Sequence, residues 1–313
     1  MNLWMRCVRF FDQREPATPL ALVRILLGLA VVLTVGEVVA RGLVPVLWMG
    51  VEAGGYRNLP QPPWLVAALG GPTPSVIWRL VAVALFGGSC MVLGLGGRVA
   101  ALATALSFRA LTAVNGHAGG SYDLLLTNAL WLCVLAPSTA TLSLDCRLRT
   151  GRWVDDRDMP AWVRWLFVYQ IVLTYWTTGL QKVSSHWVPG GEHSALYYIL
   201  QQPNWQRGDM RWVADFYLFT QVGTAVSWLW EVLAPLWLLA VYFAATAHRD
   251  GMWRRWFNRL RVREVFVGLG VVFHLSVHLL MNIGPFSLVS LAYYPAMYSH
   301  AEWVRLRERF TAR

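Results

Sequence analysis

The sequence is poor in charged residues. They make up 14% of its 313 positions, whereas a soluble domain carries about 25%. Residues of the hydrophobic set AVILMFWYC reach 56%, and so few charges could not cover that much apolar surface in a soluble globule. This shortage excludes a cytosolic enzyme, a disordered regulator and a secreted scaffold. It favours a chain that is built mostly inside a lipid bilayer.

Cysteine is scarce as well, with four in the whole chain. None belongs to a CxxC pair, and the spacings fit neither zinc nor a disulfide framework. His274 and His278 have the i,i+4 spacing that can hold a metal or a haem. The other histidines form no matching pair, so we expect no metal site.

Lysine is almost absent, because Lys182 is the only one beside 26 arginines. Arginine is not deprotonated in proteins, whereas a lysine in an apolar pocket can lose its proton near neutral pH. A site that needs a neutral amine as base or nucleophile must therefore keep a lysine. The alternative is a lysine that survived a coding bias towards arginine in an outer loop.

The net charge of +10 at pH 7 would suit a nucleic-acid ligand if the basic residues formed a patch. They lie instead in short runs between apolar stretches, and no basic aromatic groove or motif accompanies them. We therefore expect no nucleic-acid partner.

The apolar stretches are long enough for bilayer-spanning helices, which need about 20 residues. They predict an all-α, polytopic helical bundle of about eight spans in a single domain, 1–313. The predicted spans are 19–40, 75–96, 99–114, 121–137, 160–180, 212–247, 262–283 and 284–298. The segment 212–247 is too long for one straight span, so we expect an interfacial or tilted helix over 212–222 before the crossing over 224–246.

Arginine clusters set the orientation. They lie near the N-terminus, in the loop 138–159, in the loop 248–263 and near the C-terminus. Eight crossings from a cytoplasmic N-terminus place all four clusters and the C-terminus inside, as the positive-inside rule requires. The loops 41–74, 115–120 and 181–211 then lie outside. Seven or nine spans stay open as alternatives.

Ionisable residues inside predicted spans are candidates for function, because they are costly in a membrane. They are Arg24, Glu37, Arg109, Asp123, Glu231, His274 and His278. The structural alternative for each is an internal pair, such as Arg24 with a carboxylate of a neighbouring helix, or a helix-end group that reaches the interface.

Four stretches of the sequence resemble one family of membrane domains. They are Gly179-Leu180-Gln181-Lys182 with Trp187, Arg24 with Gly28, Ser143-Leu144-Asp145, and Phe273-His274 followed by Gly284, Phe286 and Ser287. In order and approximate spacing they are similar to the motifs of the vitamin K-dependent γ-carboxylase membrane domain, also called the HTTM domain. The resemblance runs from about residue 18 to residue 299.

The resemblance implies a chemistry for Lys182, which matches the lysine that deprotonates a reduced quinone in the carboxylases. Oxygen then adds to give an epoxide and a strong base, which removes a proton from a glutamate side chain before carbon dioxide is captured. We accordingly expect catalytic roles for Lys182 and His274, with a reduced quinone, oxygen and carbon dioxide as the implied cofactors. The expected substrate-binding residues are Arg24, Asn115, His117, Tyr122, Asp123, Trp187 and Glu231.

The sequence also departs from the carboxylases. Gly120 stands before Ser121-Tyr122, where the carboxylases have a histidine, and the nearest histidine is His117. We also expect no β-rich extracytoplasmic domain after the last span. In this respect the chain is similar to short bacterial members of the sporulation-delaying protein B type, which are linked to the maturation of secreted peptide toxins.

Two functions therefore stay open for a multi-pass protein of a bacterial cell membrane. The first is an enzyme that acts on a lipid-soluble quinol or a small peptide at the extracytoplasmic side, with Lys182 as base. The second is a non-catalytic membrane factor for the maturation or export of a small secreted peptide. Membrane lipid and a small peptide are the expected partners, and the oligomeric state stays open. A channel or transporter is disfavoured, because the sequence has neither inverted repeats nor a ring of charges for a pore.

Overall fold

The computed structural model describes residues 3–56 and 61–311. Residues 57–60 of the predicted outer loop 41–74, and both ends of the predicted domain 1–313, lie outside the described residues. In chain order the α-helices are α1 (Leu3–Phe11), α2 (Thr18–Ala40), α3 (Val44–Trp48), α4 (Trp64–Ala68), α5 (Pro74–Leu93), α6 (Gly97–Val114), α7 (Ser121–Leu135), α8 (Leu144–Thr150), α9 (Trp162–Gln181), α10 (Ala195–Leu200), α11 (Tyr217–Val232), α12 (Ala234–Ala245), α13 (Met252–Arg259), α14 (Val262–Leu280), α15 (Phe286–Leu291) and α16 (His300–Thr311).

The regular secondary structure of the described chain is almost entirely helical, which confirms the predicted all-α class. Its one sheet pairs β1 (Arg14–Pro16) with β2 (Asp158–Pro160) in antiparallel register. Four of the described helices, α2, α5, α6 and α14, are long and apolar enough to cross a membrane, and the bent pair α11–α12 makes a fifth if it counts as one span. The helix α7 is apolar but shorter.

The predicted spans 19–40, 75–96, 99–114 and 262–283 coincide with these four helices to within a few residues. Two other predicted spans differ from the structure. Within 212–247 the break falls at Leu233, where α11 and α12 meet at 58°. Pro235 explains its position, because a proline lacks an N–H and its ring collides with the carbonyl four residues earlier, here that of Glu231.

The last predicted span, 284–298, is not one continuous helix. It consists of the six-residue α15 and a 3₁₀ turn over Tyr294–Met297. The chain is broken before this segment as well, since α14 ends at Leu280 and Gly284 takes a left-handed φ of 61° immediately before Pro285.

The chain packs into two compact units, of which the first comprises residues 1–167 and 288–313. Its helices α2 and α5 approach so closely that a Cβ on Gly28 would lie 2.7 Å from the carbonyl oxygen of Gly88. Small residues at a helix crossing let two backbones approach in this way.

One end of the first unit collects three distant parts of the chain. The strand β1 pairs with β2 there, and the Oγ1 of Thr18, at the start of α2, hydrogen-bonds Nδ1 of His300 at 2.9 Å. His300 also lies 3.7 Å from a carboxylate oxygen of Asp156. The segments that precede α2, precede α9 and begin α16 therefore share one end of this unit.

The second unit comprises residues 168–287. It contains most of α9, the helices α10 to α14, and the long connection between α9 and α11. That connection is folded onto the rest of the unit, because the backbone N–H of Asn282 donates to the carbonyl of Trp205 at 2.8 Å. Beside this contact a small apolar cluster is built from Leu200, Met210 and Val213.

Candidate functional site at the end of helix α9

Lys182 lies in the second unit, directly after the last residue of α9. Its Nζ atom forms an ion pair with the carboxylate of Glu231 on α11. The side chain of Glu231 is 3% exposed and that of Lys182 is 15% exposed. Two opposite charges are therefore held largely out of water, with the amine as the more accessible partner.

Gly179 brings the two helices together at this point. A Cβ on Gly179 would lie 2.8 Å from both the Cβ of Glu231 and the backbone nitrogen of Val232. Only a residue without a side chain fits there, so the glycine of the Gly-Leu-x-Lys stretch sets the contact that brings Glu231 to Lys182.

Trp187 covers the other side of the amine. The Nζ of Lys182 lies 4.2 Å from the centroid of the indole ring, within the range of a cation–π contact. Trp187 closes a 3₁₀ turn over Ser185–Trp187, and its carbonyl oxygen hydrogen-bonds Nδ1 of His193 at 2.8 Å. The indole is therefore fixed by the same loop that follows the lysine.

This loop is itself anchored to α11. The carbonyl of Glu192 accepts a hydrogen bond from Nε2 of Gln221 at 2.8 Å, and its carboxylate accepts one from the hydroxyl of Tyr217 at 3.1 Å. Both Glu192 and His193 have positive φ, 59° and 52°, which is uncommon for residues other than glycine. Packing against α11 thus holds the loop in a shape that its backbone would not choose alone.

Three effects act on the proton of Lys182. Burial lowers the pKa of its amine below the ordinary value, and the charge and hydrogen bond of Glu231 act in the opposite direction. The C-terminus of α9 also favours a cation, by about 0.3–1 kcal/mol. Burial is the largest of the effects on the pKa, so the amine gives up its proton more readily than a lysine in water.

A second polar contact lies deeper in the same unit. The hydroxyl of Tyr175 and Nε2 of His274 are 2.5 Å apart, and both side chains are buried. Tyr175 and Gly179 are spaced i and i+4, so they share a face of α9, and Lys182 follows directly after the end of this helix. His278 is exposed, whereas His274 is buried.

Aromatic rings surround this contact. The ring of Tyr175 lies 4.5 Å from that of Trp230 and 6.0 Å from that of Trp237. The ring of His274 lies 5.4 Å from that of Phe286. Among the described residues no group of three or more His, Cys, Asp or Glu side chains could hold a metal ion.

The remaining predicted site residues lie in the first unit. The side chain of Asn115 accepts a hydrogen bond from the backbone N–H of His117 at 3.1 Å, and Asp123 accepts one from that of Gly120 at 2.9 Å. These contacts shape the turn between α6 and α7 and cap α7. Tyr122 is half-buried beside them. A contact of Asn115, His117, Tyr122 or Asp123 with a substrate stays a prediction.

Arg24 lies at the opposite end of α6 from that turn, about 27 Å away along the helix. Its guanidinium is buried and donates to the carbonyls of Ser138 at 3.0 Å and Leu142 at 2.7 Å, and to that of Met91. The sequence left open a carboxylate partner for Arg24 on a neighbouring helix. The observed acceptors are backbone carbonyls instead. A substrate contact at Arg24 stays a prediction.

Further contacts bring separate stretches of the sequence together around Arg24. A Cβ on Gly94 would lie 2.5 Å from Nη1 of Arg24 and 2.3 Å from the Cβ of Ser143. The carboxylate of Asp145 accepts a hydrogen bond from the backbone N–H of Gly96 at 3.0 Å. Arg24 and the Ser-Leu-Asp stretch therefore meet in one junction.

The family model of the HTTM domain matches residues 12–303. The chain belongs to the HTTM family. The match covers nearly the whole sequence and confirms the family expected from the four stretches. Together with the apolar helices it identifies a membrane protein of this family. No curated protein and no solved structure matches the chain significantly.

The HTTM motifs thus serve two places in the described structure. Arg24, Gly28 and Asp145 hold the first unit together, whereas Lys182 and His274 make the polar contacts of the second. Sequence reasoning placed Glu231 and Trp187 with the substrate, and both prove to be direct neighbours of Lys182. It missed the pairing of Tyr175 with His274, although the i, i+4 spacing of Tyr175 and Gly179 could have indicated a shared face of α9.

Proposed function

We propose that the protein is an HTTM-family enzyme in which the amine of Lys182 removes a proton from a hydroxyl group of a lipid-soluble quinol. The observation that carries the proposal is the buried ion pair between Lys182 and Glu231. The only lysine of the chain stands where burial favours its neutral form and where a carboxylate controls its charge.

The surroundings of Lys182 suit a flat aromatic ligand. The amine is partly exposed at the end of α9, with the indole of Trp187 on one side of it. A reduced quinone, when bound, would supply an acidic hydroxyl and the electrons that reduce oxygen. Lys182 would accept the hydroxyl proton at Nζ, and Glu231 would stabilise the resulting ammonium ion in a site that water barely reaches.

We do not extend the proposal to the capture of carbon dioxide. The carboxylases that the sequence resembles have a histidine where this chain has Gly120. The side chain of the nearest histidine, His117, is exposed. The proposal is therefore limited to proton abstraction, with His274 and Tyr175 as a second buried pair that could take part.

We also propose eight crossings, with both termini on the cytoplasmic side of a bacterial cell membrane. The contact between Thr18 and His300 supports an even number of crossings, because it holds the start of α2 and the start of α16 at one end. The return after α14 would run through 281–299 as a broken segment rather than one helix. Reporter fusions after residues 160 and 311 should both report a cytoplasmic position, and opposite positions would contradict this topology.

The chemical proposal is tested with the full chain in lipid nanodiscs. A reduced naphthoquinone is added and oxygen uptake is measured above the rate of empty nanodiscs. The wild-type chain should accelerate uptake, whereas Lys182→Ala and Lys182→Arg should both return to the background rate, since a guanidinium cannot accept the proton. Arg41→Lys, at an exposed position, is the control and should retain the wild-type rate.

The observation of Gly120 in place of a histidine favours a second candidate, a non-catalytic factor for a small secreted peptide. In that case Lys182 anchors a charge of the peptide. Peptide maturation in cells would then survive Lys182→Arg and fail with Lys182→Ala, and no quinol-dependent oxygen uptake would be found. This outcome would replace the enzyme proposal.

A further inference from the structure

The connection between α12 and α14 contains a short helix whose surface no part of the proposed function uses. The helix is α13, and both neighbours belong to candidate membrane spans. The connection is 16 residues long, from 246 to 261, so α13 is tethered at both ends close to a membrane surface.

One face of α13 is docked on the end of α12. The ring of Phe257 packs edge-on against that of Phe243 at 5.2 Å, and Nδ2 of Asn258 donates to the carbonyl of Phe243 at 3.1 Å. The guanidinium of Arg254 lies 5.2 Å from the same ring, and its Nε donates to Oγ1 of Thr246 at 3.1 Å. These three residues are spaced i, i+3 and i+4, so they fix the rotation of α13 about its axis.

The next face is apolar and exposed. Met252, Trp253, Trp256 and Leu260 are exposed by 67%, 62%, 53% and 49%. At 100° per residue they fall within an arc of about 100°. Two exposed indoles and two aliphatic side chains, on one short helix and its C-terminal cap Leu260, form a patch that is costly in water.

The face beyond the apolar arc is basic. Arg255 and Arg259 lie there one turn apart, and both are exposed. Across the segment 248–263 six arginines stand against one acidic residue, Asp250. Within the described part of the chain, Arg259 has no carboxylate within 4 Å, and the contact between Arg255 and Asp250 reaches 4.0 Å.

We propose that α13 is an interfacial anchor that binds anionic phospholipid headgroups of the leaflet next to it. The docked face holds the helix against its bundle, and the apolar arc enters the boundary between headgroups and acyl chains. Arg255 and Arg259 are then at headgroup depth, where their charges meet lipid phosphates. Exposed tryptophan beside arginine is the composition that this depth favours.

Charge distinguishes an anionic lipid from a zwitterionic one as the occupant. A basic residue near an anionic surface gains about fivefold in affinity, and this gain vanishes when the headgroup carries no net charge. The tryptophans alone would bind either lipid. The pairing of Trp253 and Trp256 with two exposed arginines, of which only Arg255 has a carboxylate nearby, at 4.0 Å, is what selects phosphatidylglycerol over phosphatidylcholine.

The test uses the full chain in a neutral detergent, titrated with phosphatidylglycerol or phosphatidylcholine. Hydrogen exchange of peptides that cover 249–263 is followed at each lipid concentration. Phosphatidylglycerol should slow exchange with a midpoint at least tenfold below that of phosphatidylcholine. Inorganic phosphate at the same concentrations should leave exchange unchanged.

Two variants sharpen the result. Arg255→Gln together with Arg259→Gln should raise the phosphatidylglycerol midpoint by about 25-fold, since each arginine contributes about fivefold. Arg305→Gln with Arg309→Gln removes two exposed charges from α16 and should leave the midpoint unchanged. Gel filtration of all chains checks folding. Equal midpoints for the two lipids, protection by phosphate alone, or the same midpoint in the α13 variant would overturn the proposal.

Discussion

Gly179 of α9 and Glu231 of α11 lie so close that no side chain fits between them. A Cβ on Gly179 would stand 2.8 Å from the Cβ of Glu231, which is shorter than real contacts of this kind. The close approach carries Glu231 to the end of α9, where Lys182 pairs with it. A glycine with no chemistry of its own thus determines the neighbour of the only lysine.

The variant Gly179→Ala should separate α9 from α11. We expect a loss of about 1–3 kcal/mol in the free energy of unfolding, because overpacking at a backbone contact forces both helices to shift. Thermal unfolding of the full chain in one detergent measures it. Gly268→Ala on α14 is the matched control, since nothing lies within 4 Å of its Cβ position. Equal stability of the two variants would contradict the close contact.

The ion pair itself can be tested by removing one partner and then both. Glu231→Leu should cost about 2–4 kcal/mol of stability, because it leaves a largely buried charge without a partner. The double variant Lys182→Met with Glu231→Leu should recover much of that loss. Unfolding free energies of the two single variants and the double variant give the coupling.

The exposed pair of Arg41 and Glu37 serves as the reference for this cycle. Its coupling should fall below about 1 kcal/mol, as is usual for surface pairs. A coupling between Lys182 and Glu231 that is no larger than this reference would mean that the pair contributes no more to stability than an exposed pair does.

The sequence predicted the helical class and the four helices that are long and apolar enough to cross a membrane, because hydropathy over about 20 residues depends on composition alone. It did not predict that the helix in 284–298 ends at Leu291, because the segment is apolar throughout and hydropathy does not register Pro295, whose ring collides with the carbonyl four residues earlier. It selected Lys182 by its rarity and Glu231 by its burial in a span. Their pairing depends on Gly179, and a contact between distant segments leaves no local pattern.

Arg24 is the opposite case. It was selected as a charge inside a predicted span, and its observed contacts are hydrogen bonds to backbone carbonyls. Its predicted link to a substrate rested on the cost of a charge inside a span. The structure offers it backbone carbonyls at the end of α5 and around Leu142. Carbonyls have no periodicity in a sequence, so this partner could not be anticipated.

Arg24→Lys should therefore destabilise the chain although the charge is kept. A lysine has one nitrogen and cannot reach the carbonyls of Ser138, Met91 and Leu142 together, so at least one buried carbonyl loses its donor. We expect a loss of about 1–3 kcal/mol in thermal unfolding. Arg41→Lys, at an exposed position, should change stability by less than about 0.5 kcal/mol. Similar losses at both positions would argue against the junction.

Tyr175→Phe tests the second polar contact without changing the volume of the ring. Removal of the hydroxyl leaves Nε2 of His274 without this partner in a buried position, and we expect a loss of about 1–3 kcal/mol. Tyr169→Phe, on the exposed side of the same helix, is the control and should be close to neutral. Unfolding in one detergent compares the two variants. If Tyr175→Phe leaves the stability unchanged, the hydrogen bond between Tyr175 and His274 does not stabilise the protein.

The amine of Lys182 can be observed alone, because the chain has no other lysine. Reductive methylation with ¹³C-formaldehyde places one labelled lysine signal in the NMR spectrum, separate from that of the N-terminal amine. Neutral amine is required for proton abstraction, so activity should rise with pH through the midpoint of this signal. Glu231→Gln should lower the midpoint, since the carboxylate raises the pKa of the amine.

The pH titration of that signal in the full chain tests the central claim most directly. The account predicts a midpoint below the value of about 10.4 for a lysine in water, and a further decrease in Glu231→Gln. A midpoint at or above that value, unchanged in the variant, would contradict the assignment of Lys182 as a base.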